Sequence, residues 1–440
     1  MHRSDHGRPD DGRFDDTGST HRSRGVRIVI VLTLFVATAA FVTACSDEQD
    51  ARSDGVTTTA QDDTDDLPTT AVAVERFAPE DDGFYDLPDP LPAGRHGDLL
   101  RIQPVPGAPD GASWQRIMYR SASVSGEPIA VTGVVTLPDT EPPPGGWPLV
   151  AHAHGTTGIA NVCAPSVSLS AGGTYATEIA LLSNSVASDG FALVSTDYEG
   201  LGVKGRHPYL VGESAGRSVL DSLLAARQLP DVDASGPVGI VGYSLGGHAA
   251  AWANQLASGW APGLDIVGVL AGAPASEVPE FVAADPSATR PLLQARTVLV
   301  ASGLAATGDA FDLEAALSDA GLGVLDQLDE RCDPDLPAGE PLTRVDLAVQ
   351  EPWAGALRAN VPGAIRGAAP VLIVHSRTDI VIPIAQGEAL AARLCRAGQV
   401  VEMRELPDGE HVPTAVAAYR LGLAWIRDLM RGETPVSTCT

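Results

Sequence analysis

Two serines sit at the centre of a G-x-S-x-G pentapeptide, Ser214 in VGESAGR (211–217) and Ser244 in VGYSLGG (241–247). A serine hydroxyl is a weak nucleophile at neutral pH. It becomes effective when an imidazole takes its proton and a carboxylate orients that imidazole. Such a set attacks carbonyl carbon. The flanking glycines matter because the serine must sit on a sharp turn where a buried strand ends and a helix begins. One site needs one nucleophile, so the surroundings must choose. PVGIV (237–241) runs into Gly242 as a strand, and GGHAAAWANQLA (246–257) follows as a small-residue helix, so Ser244 meets both requirements. Before Ser214 lies GRHPYLV (205–211), interrupted by Pro208, and the nearest strand-like run ended at Tyr198. Ser214 reads instead as a helix N-cap, its hydroxyl satisfying a free backbone N–H.

On a strand-to-helix turn of this kind the acid and then the histidine follow the serine along the chain. Three histidines lie beyond Ser244: His248, His375 and His411. His248 is four residues on, along the same helix, and points away from the serine oxygen, which makes it structural. His375 precedes the acid candidate, so its order is wrong. His411, in PDGEHVP (407–413), follows the last strand-like run and precedes the last helix, where it can reach the turn. Asp379, in VLIVHSRTDIVIP (371–383), is the acid; Asp408 and Glu410 flank the histidine and point to solvent. The oxyanion of a tetrahedral intermediate needs N–H donors. Leu245 supplies one backbone N–H, and Thr156 in AHAHGTTG (151–158) the other, with Gly155 as the alternative. GLGVKG (200–205) fits G-x-G-x-x-G, but no helix opens at its glycines, so it is a loop and not a nucleotide site.

These residues need a scaffold. Apolar runs rich in β-branched residues occur at 129–137, 147–154, 191–198, 237–244, 265–272, 370–375 and 400–406, several continuous enough for strands buried on both faces. Helix-like stretches lie between them at 214–229, 246–257, 384–396 and 413–430. Alternation of strand and helix implies an α/β fold, a mostly parallel central sheet flanked by helices. From 273 to 369 the rhythm breaks into a Pro- and Gly-rich stretch, helix-like at 311–319 and 321–328, with no pair of core strands. An insertion of that size between two strands of one sheet reads as a largely helical cap over its carboxyl edge. Its segment LLQARTVLVASGLAA (292–306) suits either an apolar acyl pocket or the cap's own core. The Pro/Gly/Asp-rich piece 79–109 reads as extended chain on the surface.

With 29 basic and 56 acidic side chains the formal net charge is −27, which excludes nucleic acid as a natural partner. Arg22, Arg24 and Arg27 precede fifteen uncharged apolar residues, Ile28 to Val42, and then VTACS ending the run near Cys45. A basic flank, an apolar region too short for the ~20 residues of a spanning helix, and a small-residue site read as an export signal. The V-T-A-C ending resembles the lipobox of bacterial lipoproteins, which implies lipid attachment at Cys45 and membrane association through that anchor; ordinary signal cleavage nearby, with release of a secreted protein, is the alternative. Residues 1–45 are then leader and signal, 46–74 an acidic tether too polar to fold, and 75–435 the catalytic domain. Cys163, Cys332, Cys395 and Cys439 remain, enough for two disulfides in an oxidising compartment, with three connectivities open. No C-x-x-C pair points to zinc.

HGTTG…CAPS (154–166), DYEGLG (197–202), HPYLVGESAGRSVLDSLLAARQLP (207–230), GYSLGGHAA (242–250), SRTDIVIP (376–383) and GEHVPTA (409–415) together resemble the secretory lipase family of α/β-hydrolases. The resemblance implies an α/β-hydrolase fold, a triad of Ser244, Asp379 and His411, a helical lid over 273–369, and disulfides Cys163–Cys332 and Cys395–Cys439. The expected activity is hydrolysis of lipid or short-to-medium-chain esters through an acyl-enzyme, without metal or organic cofactor. Two other readings use the same residues: acyl transfer to an alcohol, and a non-catalytic surface lipoprotein that keeps the fold for binding.

Overall fold

The computed structural model describes residues 73–169, 174–230, 232–282, 291–337 and 339–440. The leader, Cys45 and nearly all of the tether lie outside them. Ten strands form one sheet: β1 (Glu75–Arg76), β2 (Leu99–Val105), β3 (Ala112–Ala122), β4 (Pro128–Pro138), β5 (Leu149–Ala153), β6 (Ala192–Thr196), β7 (Val238–Tyr243), β8 (Ile266–Gly272), β9 (Val371–Ser376) and β10 (Val401–Leu406). Their spatial order is β1-β2-β3-β4-β6-β5-β7-β8-β9-β10. From β6 to β10 every neighbouring pair is parallel, whereas β2–β3, β3–β4 and β4–β6 are antiparallel.

Eleven helices are described: α1 (Pro165–Ser168), α2 (Thr174–Asp189), α3 (Gly212–Ala226), α4 (Leu245–Trp260), α5 (Val278–Val282), α6 (Pro291–Ala305), α7 (Leu313–Ala316), α8 (Asp319–Leu328), α9 (Trp353–Ala359), α10 (Ile384–Arg396) and α11 (His411–Met430). Because side chains alternate along a strand, the continuous apolar runs serve two layers at once. Ala151, Ile240, Val269 and Ile373 join the core under α3, α4 and α10. Val150, Val241, Leu270 and Leu372 join a second core under α2 and α11. That double burial is why these strands read as unbroken hydrophobic runs.

The sequence reading missed β2 and β3, and took 79–109 as surface chain throughout. Both strands carry polar residues that look wrong for a sheet interior, and distant groups satisfy them. Gln103 Nε2 donates to the carbonyls of Ala78 and Asp81, both at 2.9 Å. Arg101 pairs with Glu75 at 2.7 Å, and Arg116 donates to Gln103 and to the Ser166 carbonyl. Ser214 is a second correction. The helix α3 starts two residues earlier, and Asn360 Oδ1 accepts the Gly212 N–H at 2.7 Å. Ser214 therefore sits inside the first turn, its hydroxyl donating to the Glu199 carboxylate at 2.5 Å.

Helices α5 to α9 fill the segment between the adjacent parallel strands β8 and β9. The expected helix 311–319 is instead the short α7, after which α8 opens with Ser318 as N-cap. Val298, Leu304, Val324, Leu328, Trp353 and Leu357 from this segment belong to the main core, so it has no separate interior. It is tied to loops that leave the carboxyl ends of the strands. Arg206, after β6, donates to Ser302 at 2.9 Å and to Asp329 at 2.7 Å. Cys163, after β5, is bonded to Cys332. The other disulfide, Cys395–Cys439, pins the C-terminal segment to α10.

Candidate active site

Strand β7 ends at Tyr243 and α4 begins at Leu245, so one residue makes the whole turn. That residue is Ser244, with φ 60° and ψ −120°, a backbone conformation few non-glycine residues adopt. Holding it there costs on the order of 1–3 kcal/mol, a strain the surrounding structure must impose. Gly242 and Gly246 make it feasible. A Cβ on Gly242 would run into the Gly246 carbonyl, and one on Gly246 into the carbonyl of Ala153. The strain lifts the serine oxygen clear of the sheet edge.

His411 opens α11 and is 7% exposed. Its Nε2 lies 2.9 Å from Ser244 Oγ and its Nδ1 lies 2.6 Å from Asp379 Oδ2. Asp379 follows β9. Its other oxygen, Oδ1, accepts the backbone N–H groups of Val381 (2.8 Å) and Ile382 (2.9 Å). Burial pushes the Asp379 carboxyl up, but the bond to His411, the charge of His411 and the two N–H groups outweigh it and hold the group below its usual value. The carboxylate is therefore ionised at neutral pH. Tyr243, absent from the sequence reading, donates its hydroxyl to the His411 carbonyl at 2.8 Å and lays its ring 5.1 Å from the imidazole.

The remaining histidines hold other posts. His248 is fully buried with Nδ1 3.0 Å from the Ala275 carbonyl, and burial pushes its pKa down to about 4, so it is neutral. His375 places Nε2 2.9 Å from the Ile382 carbonyl, so it supports the loop that carries Asp379. Asp408 and Glu410 are exposed. In the sheet Ala153 stands opposite Gly242, so the loop 154–158 leaves β5 beside the turn of Ser244. Thr156 lies on that loop with its hydroxyl 2.8 Å from the Tyr209 hydroxyl, and Leu245 is the first residue of α4. The structure thus joins Ser244, His411 and Asp379 in one hydrogen-bonded relay, with Thr156 on the neighbouring loop after β5 and Leu245 next to the serine. It adds Tyr243 and Tyr209, whose contacts are long-range and carry no local sequence signal.

The family model described as secretory lipase matches residues 168–336 and 358–438. Among curated proteins, Lipase A of Moesziomyces aphidis is 25% identical over 393 residues, covering 82% of each chain. "Probable inactive lipase MT1628" of Mycobacterium tuberculosis is 27% identical over 383 residues, covering 82% of this chain and 84% of that one. The closed-state crystal structure of Candida antarctica lipase A superposes with a TM-score of 0.69 at 22% identity, covering 82% of this chain and 88% of that one. That likeness establishes the α/β-hydrolase fold.

Proposed function

The chain belongs to the secretory lipase family, and we propose that it is an exported serine carboxylic-ester hydrolase acting through an acyl-enzyme. The observation that carries this reading is the unbroken hydrogen-bond path from Asp379 through His411 to a strained Ser244. Kinship alone does not supply activity, since one relative is named as a probable inactive lipase. The intact relay is what supports it for this chain.

Ser244 Oγ attacks the ester carbonyl carbon while its proton passes to His411 Nε2. Asp379 Oδ2 accepts the Nδ1–H, fixes the tautomer and stabilises the imidazolium that forms. The N–H groups of Thr156 and Leu245 receive the oxyanion, each worth about 10²–10³ in rate. His411 then gives its proton to the departing alkoxide. Water, activated by the same imidazole, attacks the acyl-serine and releases the acid. The segment 273–369 acts as the cap of a catalytic domain spanning 75–435, and an anchor at Cys45 after the signal holds the enzyme at the cell surface.

Release of p-nitrophenol from acyl esters of two to eighteen carbons tests the reading. The wild type should turn over, Ser244→Ala should fall to background, and Ser214→Ala should keep its rate. A Ser244→Ala variant with undiminished turnover removes the mechanism.

A further inference from the structure

Helix α6 belongs to the segment between β8 and β9, yet it reaches both sides of the triad. At its C-terminal end, Gly303 lies so close to Tyr209 that a Cβ at 303 would overlap the Tyr209 backbone N and O. Tyr209 is 2% exposed, burial pushes its phenol up, and its hydroxyl is 2.8 Å from Thr156 Oγ1. The next residue, Leu210, is held at φ 58°, so the backbone here is fixed in a conformation it would not choose alone. Seven residues earlier on α6, Arg296 is 7% exposed and sits over the Phe281 ring at 4.9 Å. Its Nη1 donates to the Val381 carbonyl at 2.9 Å, and the Val381 N–H is one of the two donors to Asp379 Oδ1. Residues seven apart share a helix face and lie ~10 Å apart along the axis. One face of α6 therefore packs at one end on the loop of Tyr209, whose hydroxyl bonds Thr156, and at the other end bonds the loop of Asp379.

We propose that α6 is a brace that sets the catalytic geometry, with Tyr209 and Arg296 as positioning residues. Tyr209 acts through Thr156 on the oxyanion side, and Arg296 acts through Val381 on the orientation of Asp379. A buried guanidinium is costly unless its bonds are made, so Arg296 keeps its place only while α6 is seated against the loop. The inference rests on the ester-hydrolase reading and deepens it. Movement of α6 reaches the oxyanion donors and the triad acid together, so the position of the cap governs turnover and not only access.

The test is steady-state kinetics on p-nitrophenyl butyrate with the full chain. Tyr209→Phe removes only the hydroxyl and should lower kcat about tenfold with KM changed less than about twofold, the signature of a misplaced catalytic group. In a Thr156→Val background the same change should cost less than about twofold, because the hydroxyl it acts on is gone. Arg296→Met should also lower kcat about tenfold, and Arg296→Lys should restore part of it, since a donor again faces the Val381 carbonyl. If Arg296→Met does not fold, Arg296→Lys carries this arm, with kcat below wild type and KM unchanged. The brace is overturned if the variants keep wild-type kcat, if KM rises instead, or if the Tyr209→Phe loss is undiminished beside Thr156→Val. An active wild type with indifferent variants removes the brace alone. A wild type that turns over no ester removes the hydrolase reading and the brace with it.

Discussion

Replacing Asp379 by asparagine is the sharpest perturbation the site offers, because the surroundings dictate which way the amide must face. Oδ1 accepts two backbone N–H groups, from Val381 at 2.8 Å and Ile382 at 2.9 Å. An asparagine has to put its carbonyl oxygen there, since its NH2 would meet two donors with a third. The NH2 is then forced to the Oδ2 position, 2.6 Å from His411 Nδ1. Nδ1 must become an acceptor, the imidazole proton moves to Nε2, and the nitrogen facing Ser244 at 2.9 Å loses its lone pair. The hydroxyl keeps its proton and the base is gone, with hardly an atom displaced. A wrong tautomer of this kind costs about 10⁴ in kcat, or about 5.5 kcal/mol of transition-state stabilisation. Initial rates on p-nitrophenyl butyrate measure it, with the thermal midpoint as a check on folding. A folded Asp379→Asn enzyme within tenfold of wild type would refute the orientation argument.

Other outcomes follow from the same contacts. His154, His207 and His248 are buried with pKa values pushed down to about 4. The unfolded chain therefore binds more protons between about pH 6.5 and 4, and stability, complete above that window, should fall as the pH drops through it. Denaturant midpoints from pH 8 to 4 check this, and a flat profile contradicts it; His248→Gln should make the slope shallower. Removing the Cys163–Cys332 bridge, which spans 169 residues, by a double serine substitution should cost about 2–5 kcal/mol of stability, read as a lower thermal midpoint. Cys45→Ala should move the enzyme from the membrane fraction of a bacterial host to the medium, and unchanged partition would remove the anchor.

The hydrogen-bonded set of Ser244, His411 and Asp379 was legible because each member carries a local mark: a strand running into G-x-S-x-G for Ser244, and loops after the last two strands for Asp379 and His411. Most of the parallel half of the sheet was legible for a related reason, since burial on both faces leaves few polar positions in β5 to β9 to confuse the pattern. Where distant groups settle a residue's role, the reading failed. Arg101 and Gln103 sit in β2 because Glu75 and the carbonyls of Ala78 and Asp81 receive them. Ser214 lost the N-cap position because Asn360, 148 residues away, takes the Gly212 N–H. Helix α2 was also overlooked. The segment 292–306, weighed as acyl-pocket lining or core, proves to be α6, whose Val298, Val300, Ala301 and Leu304 are buried in the main core.

On the proposed mechanism Ser244 alone is the activated nucleophile. Incubation of the folded protein with a fluorophosphonate, followed by intact mass and peptide mapping, tests it most directly. One covalent adduct is expected, located on Ser244 and abolished in both Ser244→Ala and His411→Ala. An unlabelled wild type, or an adduct on Ser214, would contradict it.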